Sequence, residues 1–311
     1  MTYVQETLDR RGSAEFNLGA PEFKGRVELG SEQRKVVPGV AKLNDPEHGL
    51  FGVAEGRGSE RVASLVAKDL VSTVAQDLGA SLDRQIQNNL YAAGSMDERI
   101  ARVDALVESK LKEIFLPTIA KVRSRSVVQK EFDHAGLRAS IAKLVDLPHA
   151  RKRLYLSHLG DARVYLLRGE RLTQMTQDDT GLTQQMHAGF LSSEDFEQID
   201  QSRSPSELSH EHQQLFPLRH DVVSVTGRNS TRITPEVDVY DVQRGDRLVI
   251  VNGTVQSNLT TRDIQNWVST LQDDLQAEDV LQRSADDEAG KKTTRPGRAE
   301  AGDLAAVVHT I

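Results

Sequence analysis

A chain of 311 residues with 38% hydrophobic and 27% charged side chains has the composition of a soluble globular protein, in one large domain or two ordinary ones. Its net charge of -7 argues against general nucleic-acid binding, and the absence of cysteine excludes a disulfide framework, thiolate metal sites and a cysteine nucleophile. No apolar run reaches the roughly 18 residues of a membrane span, and the opening MTYVQETLDRR lacks the apolar stretch of a secretory signal, so a cytoplasmic location is expected.

Residues 1–22 are polar and aperiodic and read as a flexible tail ahead of a single domain over 23–311. Arg26 to Lys42 predicts two short strands broken by Gly30-Ser31 and Pro38-Gly39. The turn Asp45-Pro46-Glu47-His48-Gly49 opens the apolar strand Leu50–Ala54, and Glu55-Gly56-Arg57-Gly58 follows as a glycine-rich turn. Ser59 stands as the N-cap of a helix from Glu60 to Asp77. Strand, glycine-rich turn and helix invite a phosphate-loop reading, but neither GxGxxG nor GxxxxGK[ST] is present.

Leu82 to Val122 reads as further helix, interrupted or kinked at Pro117. Gly136–Val145 is a strand that leads into a three-strand meander over Arg153–Thr176, with Gly160-Asp161 at its first turn. Helix starts follow at Asp178-Asp179-Thr180 and at Ser192-Ser193. Residues 201–219, rich in Ser, His and Gln, read as a mobile loop. Strands are expected at Asp221–Thr226, Glu236–Val242 and Arg247–Val251, the last ended by Asn252-Gly253. Thr260–Ser284 is an amphipathic helix or helix pair with Trp267 toward the core. The charged stretch 286–302 reads as mobile, with four basic residues at 291–298 facing solvent or an acidic partner, and Leu304–Ile311 closes a sheet. Strands and helices thus come in blocks, which predicts an α+β fold with antiparallel sheets and outer helices.

Five segments, in order, resemble the metal-dependent Ser/Thr protein phosphatases of the PPM (type 2C) family. LFGVAEGRG at 50–58 is similar to that family's LFxVxDGxGG, and LYLSHLGDARVYL at 154–166 to LYVANVGDSRAYL. QMTQDDTGLTQQMHAG at 174–189 resembles QLTxDHSLVQxLxxAG, GDRLVIVNG at 245–253 resembles GDRLLLCSDG, and GDLAAVVHT at 302–310 resembles DNITVVVV. The resemblance implies a sandwich of two antiparallel β-sheets flanked by helix pairs. It also implies a carboxylate cluster holding two Mn²⁺ or Mg²⁺ ions that activate a water for attack on phosphorus.

The chain departs from that pattern where the chemistry lies. The family's early Asn-Glu-Asp falls on Pro38-Gly39-Val40, and Val40 has no ligand atom. The aspartate of the DG pair is Glu55, followed by Gly56; the aspartate of SDG is Asn252; the final DN falls on Gly302-Asp303. Asp161 alone is unchanged, and the phosphate-binding arginine is at best Arg34. Carboxylates crowded without metal repel one another, so a scaffold that no longer binds metal is expected to lose them together.

The reading that follows is a pseudophosphatase, a catalytically inactive binding or regulatory module in phosphorylation signalling. No catalytic residue, cofactor or metal is expected, and the partner is a protein: a kinase, a phosphoprotein or a phosphatase. The alternative is a weak or atypical phosphatase using Glu55, Asp161 and Asp303 around one Mn or Mg ion. A third reading gives the old cleft a different ligand, with Arg57 facing an anion or pairing with Glu55. His210 and His212, flanking Glu211, lack a third metal ligand and read as solvated loop.

Overall fold

The computed structural model describes residues 39–132, 135–222, 235–290 and 302–311, together with three short N-terminal strands. Of the sequence expectations, Pro38, Arg34, residues 223–226 and the basic stretch 291–298 lie outside the described residues. The chain divides into two compact units, one running to His158 and including a later strand at Val237–Val242, the other taking most of the remainder from Leu159.

In the first unit, β1 (Thr7–Leu8), β2 (Ala14–Glu15) and β3 (Arg26–Leu29) lead to β4 (Val40–Asp45) and β5 (Leu50–Arg57). Two of these strands, β1 and β2, pair with each other and, through Ala14, with Val27. Four helices follow: α1 (Glu60–Leu78), α2 (Ala80–Tyr91), α3 (Met96–Glu113) and α4 (Leu116–Val128). Pro117 opens α4 in its first turn, where a missing N–H costs nothing, rather than kinking a longer helix. Then come β6 (Gly136–Leu147) and β7 (Arg151–Leu159). The second unit adds β8 (Arg163–Arg168), β9 (Arg171–Gln174), α5 (Gly181–His187), α6 (Ser193–Gln201) and α7 (His210–Leu215). The chain returns to the first unit for β10 (Val237–Val242). It ends in the second with β11 (Arg247–Val251), α8 (Gly253–Asn258), α9 (Thr261–Thr270), α10 (Asp274–Gly290) and β12 (Ala306–Thr310).

The first unit is built on an eight-stranded sheet in the order β1-β2-β3-β4-β5-β6-β7-β10. Its centre is β5, where Leu50, Phe51, Val53 and Ala54 are all buried. The strand does not stop at Ala54, because Glu55, Gly56 and Arg57 continue the ladder against Arg138, Leu137 and Gly136. Helix α1 packs on β4 and β5, and its Val62, Val66 and Leu70 are buried. Gly56 permits that approach: a Cβ there would stand 2.0 Å from the Ala63 carbonyl oxygen. Ser95 and Glu98 close a reciprocal capping box on α3, which lowers the Glu98 pKa through the Ser95 backbone bond.

The second unit is built on a four-stranded sheet in the order β12-β11-β8-β9. Val249, Val251 and Val308 pack with Ile264, Val268 and Leu281 from α9 and α10 in one core cluster. The outer edge of β12 is covered from α10: Val308 N–H donates to Glu278 at 2.8 Å and Thr310 N–H to Asp274 at 2.7 Å.

The three-strand meander over Arg153–Thr176 does not form. β7 pairs with β10, whereas β8 pairs with β9 and β11, so the turn at Gly160-Asp161 passes the chain from one sheet to the other. Local turn chemistry reverses the chain but does not choose the strand partner; Val164 and Leu166 stand opposite Ile250 and Leu248 instead. The stretch 201–219 is not loop throughout. It holds α7 and two 3₁₀ turns, and Leu208 and Phe216 join Leu182, Leu191 and Ile199 in a small separate core. Residues 286–290 belong to α10, with Ala289 buried. Trp267 is not a core residue, since it is 40% exposed on α9.

Candidate functional site

In the first unit the sheet register sets Val40 opposite Glu55 and Glu55 opposite Arg138. Directly opposed residues share a sheet face, so the three form one row across β4, β5 and β6. Arg57, two residues beyond Glu55, lies on the same face. The Glu55 carboxylate is 3.7 Å from Arg57 Nε and 3.9 Å from an Arg138 Nη. Arg138 is among the largest fully buried side chains, while Arg57 is 40% exposed. The anticipated Glu55–Arg57 pair is therefore present, joined by a buried arginine that the sequence reading passed over. Its signal was a lone guanidinium in the otherwise small and apolar run GLRASIA.

In the second unit α8 gathers the remaining positions. Asn252 is its N-cap and is fully buried. Its Oδ1 accepts the N–H groups of Val255 at 3.3 Å and Ala305 at 3.1 Å, and its Nδ2 donates to the Asp303 carbonyl at 2.8 Å. An aspartate there would set a carboxylate oxygen against that carbonyl. Asn252-Gly253 ends the strand Arg247–Val251, as the sequence indicates, and the asparagine also starts a helix. A Cβ on Gly302 would lie 2.7 Å from Thr254 Oγ1, so no side chain fits there unless Thr254 moves.

Asp161 is fully buried, and Gln256 of α8 reaches it with Nε2 at 3.5 Å from Oδ2. The turn's own Gly160 N–H donates to Asp179 at 2.9 Å, so Asp179, not Asp161, holds the turn at that group. The histidine pair sits on α7, with His212 Nε2 3.6 Å from Asp195.

A further constellation escaped the sequence reading. Arg163 at the start of β8 donates to both oxygens of Asp178 at 2.6–3.0 Å and to both of Asp200 at 2.7 and 3.1 Å. Arg219 lies 3.9 Å from Asp200 and 4.4 Å from the centre of the Phe216 ring. Burial opposes the Arg163 charge, but Asp178 and Asp200 outweigh it and hold its pKa well above the ordinary value. Burial pushes Asp178 up to about 6, against the pull of Arg163. This cluster pins the end of α6 and the loop after β9 to β8.

The residues present do not suit a pair of hard divalent cations. Val40 offers no donor atom, Gly302 has no side chain, and the Asn252 amide oxygen already receives two N–H groups. Glu55, the one carboxylate of its row, faces two guanidiniums. A divalent charge ~5 Å from a single guanidinium is opposed by about 7 kcal/mol at an effective dielectric near 20. Among the described residues, no group of three or more His, Cys, Asp or Glu side chains is arranged to hold a metal ion. No helix among them is long and apolar enough to cross a membrane.

With two antiparallel sheets, their helices and these positions in view, the chain has the fold of the PPM-type Ser/Thr phosphatases. No family model matches the sequence. Over 123 residues, 40% of the chain, it is 29% identical to the serine/threonine protein phosphatase PstP of Mycobacterium tuberculosis. The matched stretch spans 20% of the length of that relative. The catalytic domain of PstP in complex with two manganese ions superposes with a TM-score of 0.57 at 15% identity, covering 91% of this chain and 94% of that one. Phosphatase Stp1 of Staphylococcus aureus gives 0.57 at 12% identity, covering 100% and 96%.

Proposed function

We propose that this chain is a catalytically inactive, PPM-type phosphatase-like domain that serves as a binding or regulatory module in phosphorylation signalling. The observation that carries the proposal is the row Val40–Glu55–Arg138, in which an apolar residue and a buried guanidinium flank the one carboxylate. Manganese-bound PstP has the same fold, and the pseudophosphatase reading separates this chain from it at the donor set. The Asn252 cap and the space closed at Gly302 support the same reading from the second unit. The partner is a protein: a kinase, a phosphoprotein or a phosphatase.

Hydrolysis of an aryl phosphate, followed with and without added Mn²⁺, tests this. The expected result is a rate equal to the buffer blank in both cases. Manganese-dependent turnover that disappears in Glu55→Ala or Asp303→Ala would instead establish a phosphatase with a reduced metal site.

A further inference from the structure

Helix α9 turns into α10 through residues 271–273, and the corner displays apolar surface. Trp267, near the end of α9, is 40% exposed, and Leu275, in the first turn of α10, is 62% exposed. Leu271 between them packs against the core of the second unit. Exposed apolar side chains are ordinary when scattered singly. These two are held on a fixed corner. Buried Arg247 of β11 donates through Nη1 to the carbonyls of Val268 and Leu271, and through Nε and Nη2 to Asp274 at 3.0 and 2.7 Å. Asp274 also accepts the Thr310 hydroxyl at 2.9 Å, and Gln265 of α9 donates to the Glu170 carbonyl at 2.8 Å. One arginine thus fixes the end of one helix and the start of the next before any partner arrives, which lowers the ordering cost of binding there.

The charge around the corner is negative. Asp273 is exposed and caps α10, accepting the Gln276 N–H at 2.7 Å. Residues 260–290 hold eight Asp or Glu against two arginines; Arg283 pairs with Asp279, and Arg262 lies at the other end of α9 from the corner. Such a field repels nucleic-acid phosphates, anionic lipid and a second copy of the same face, and it attracts Lys and Arg. Apolar anchors in an acidic surround complement a basic amphipathic segment.

We infer that the α9–α10 corner docks a basic amphipathic segment of a partner protein, whose apolar side chains cover Trp267 and Leu275 while its Lys or Arg residues face Asp273. The inference rests on the reading of the chain as a binding module and gives the partner a chemistry. It makes no use of the Glu55 row. Trp267 is the residue type that most often anchors an interface, and it stands beside the buried stripe Ile264 and Val268 rather than within it.

Trp267 is the one tryptophan of the chain, so its emission reports on this corner and nowhere else. The probe is a synthetic tryptophan-free peptide of Lys and Leu, patterned as an amphipathic helix and titrated into the full chain. A Lys/Ser peptide of equal charge and a Glu/Leu peptide with the same apolar face serve as controls. Wild type, Leu275→Ser and Asp273→Asn are compared, each first checked for a cooperative thermal transition; both positions are exposed, and asparagine preserves the cap. The expected result is a saturable blue shift of Trp267 emission with the Lys/Leu peptide, at concentrations of order micromolar. Binding should weaken about tenfold in Leu275→Ser and about threefold in Asp273→Asn. Added salt should weaken it less in Asp273→Asn than in wild type. No shift up to about 500 μM peptide, binding unchanged in Leu275→Ser, or equal binding of either control peptide overturns the inference. A shift that grows with protein concentration alone assigns the corner to a second copy and overturns it too. Manganese-dependent turnover, measured separately, would sink the inactive reading whatever Trp267 does, so the two failures are distinguishable.

Discussion

Arg163 and Arg138 are both buried guanidiniums facing carboxylates, and they are built in opposite ways. Arg163 divides its donors between Asp178 and Asp200 in short, bidentate bonds, with Arg219 3.9 Å from Asp200, so that its hydrogen-bonding capacity is used. Arg138 stands 3.9 Å from Glu55 and Arg57 3.7 Å from it, both beyond hydrogen-bonding distance. The first arrangement is what a buried ionic group needs to be structural. The second holds its charges beyond hydrogen-bonding distance, by Coulomb attraction.

Removing Arg163 should produce the largest effect. Arg163→Met leaves Asp178 and Asp200 buried beside one another, and about 3–5 kcal/mol of stability should be lost in urea denaturation. A loss below about 1 kcal/mol would mean that the two arginines are alike after all. Next comes the Asp178 titration. Its pKa, raised to about 6 when folded, lies above the unfolded value, so its contribution is fully present below the unfolded pKa and is lost as pH rises through 6. Stability followed from pH 4 to 7 should fall in wild type relative to Asp178→Asn, by of order 1–3 kcal/mol. A relative rise over that range would reverse the assignment. Asn252→Asp should cost about 1–2 kcal/mol, since the carboxylate cannot donate to the Asp303 carbonyl, and added Mn²⁺ should not recover the loss. Arg57→Gln, at an exposed position, should change stability by less than about 0.5 kcal/mol.

Much of the architecture was legible because it rests on local pattern. The buried run of β5, the capping serine of α6 and the apolar strand Arg247–Val251 follow from periodicity and cap chemistry that a single sequence displays. The Gly160-Asp161 turn was legible as a turn but not as a crossing between sheets. The partner of β8 is decided by apolar complementarity with β11, more than 80 residues away in sequence. Helix α8 was hidden because GTVQSN is buried on all sides and has no amphipathic period; only the capping asparagine announces it. The candidate positions Val40, Glu55 and Asn252 came from motif alignment. Arg138 did not, because its role depends on the β5–β6 register, which places it beside Glu55 although 83 positions separate them. Arg163 was missed for the same reason: Asp178 and Asp200 reach it through a loop and the end of α6.

A chain without a catalytic metal pair should not take up Mn²⁺, which calorimetric titration of Mn²⁺ into the EDTA-stripped protein measures. The prediction is no saturable heat up to millimolar Mn²⁺, in wild type and in Glu55→Gln alike. Binding at micromolar Mn²⁺ that is lost in Glu55→Gln would contradict it and return Glu55 to the role of a metal ligand.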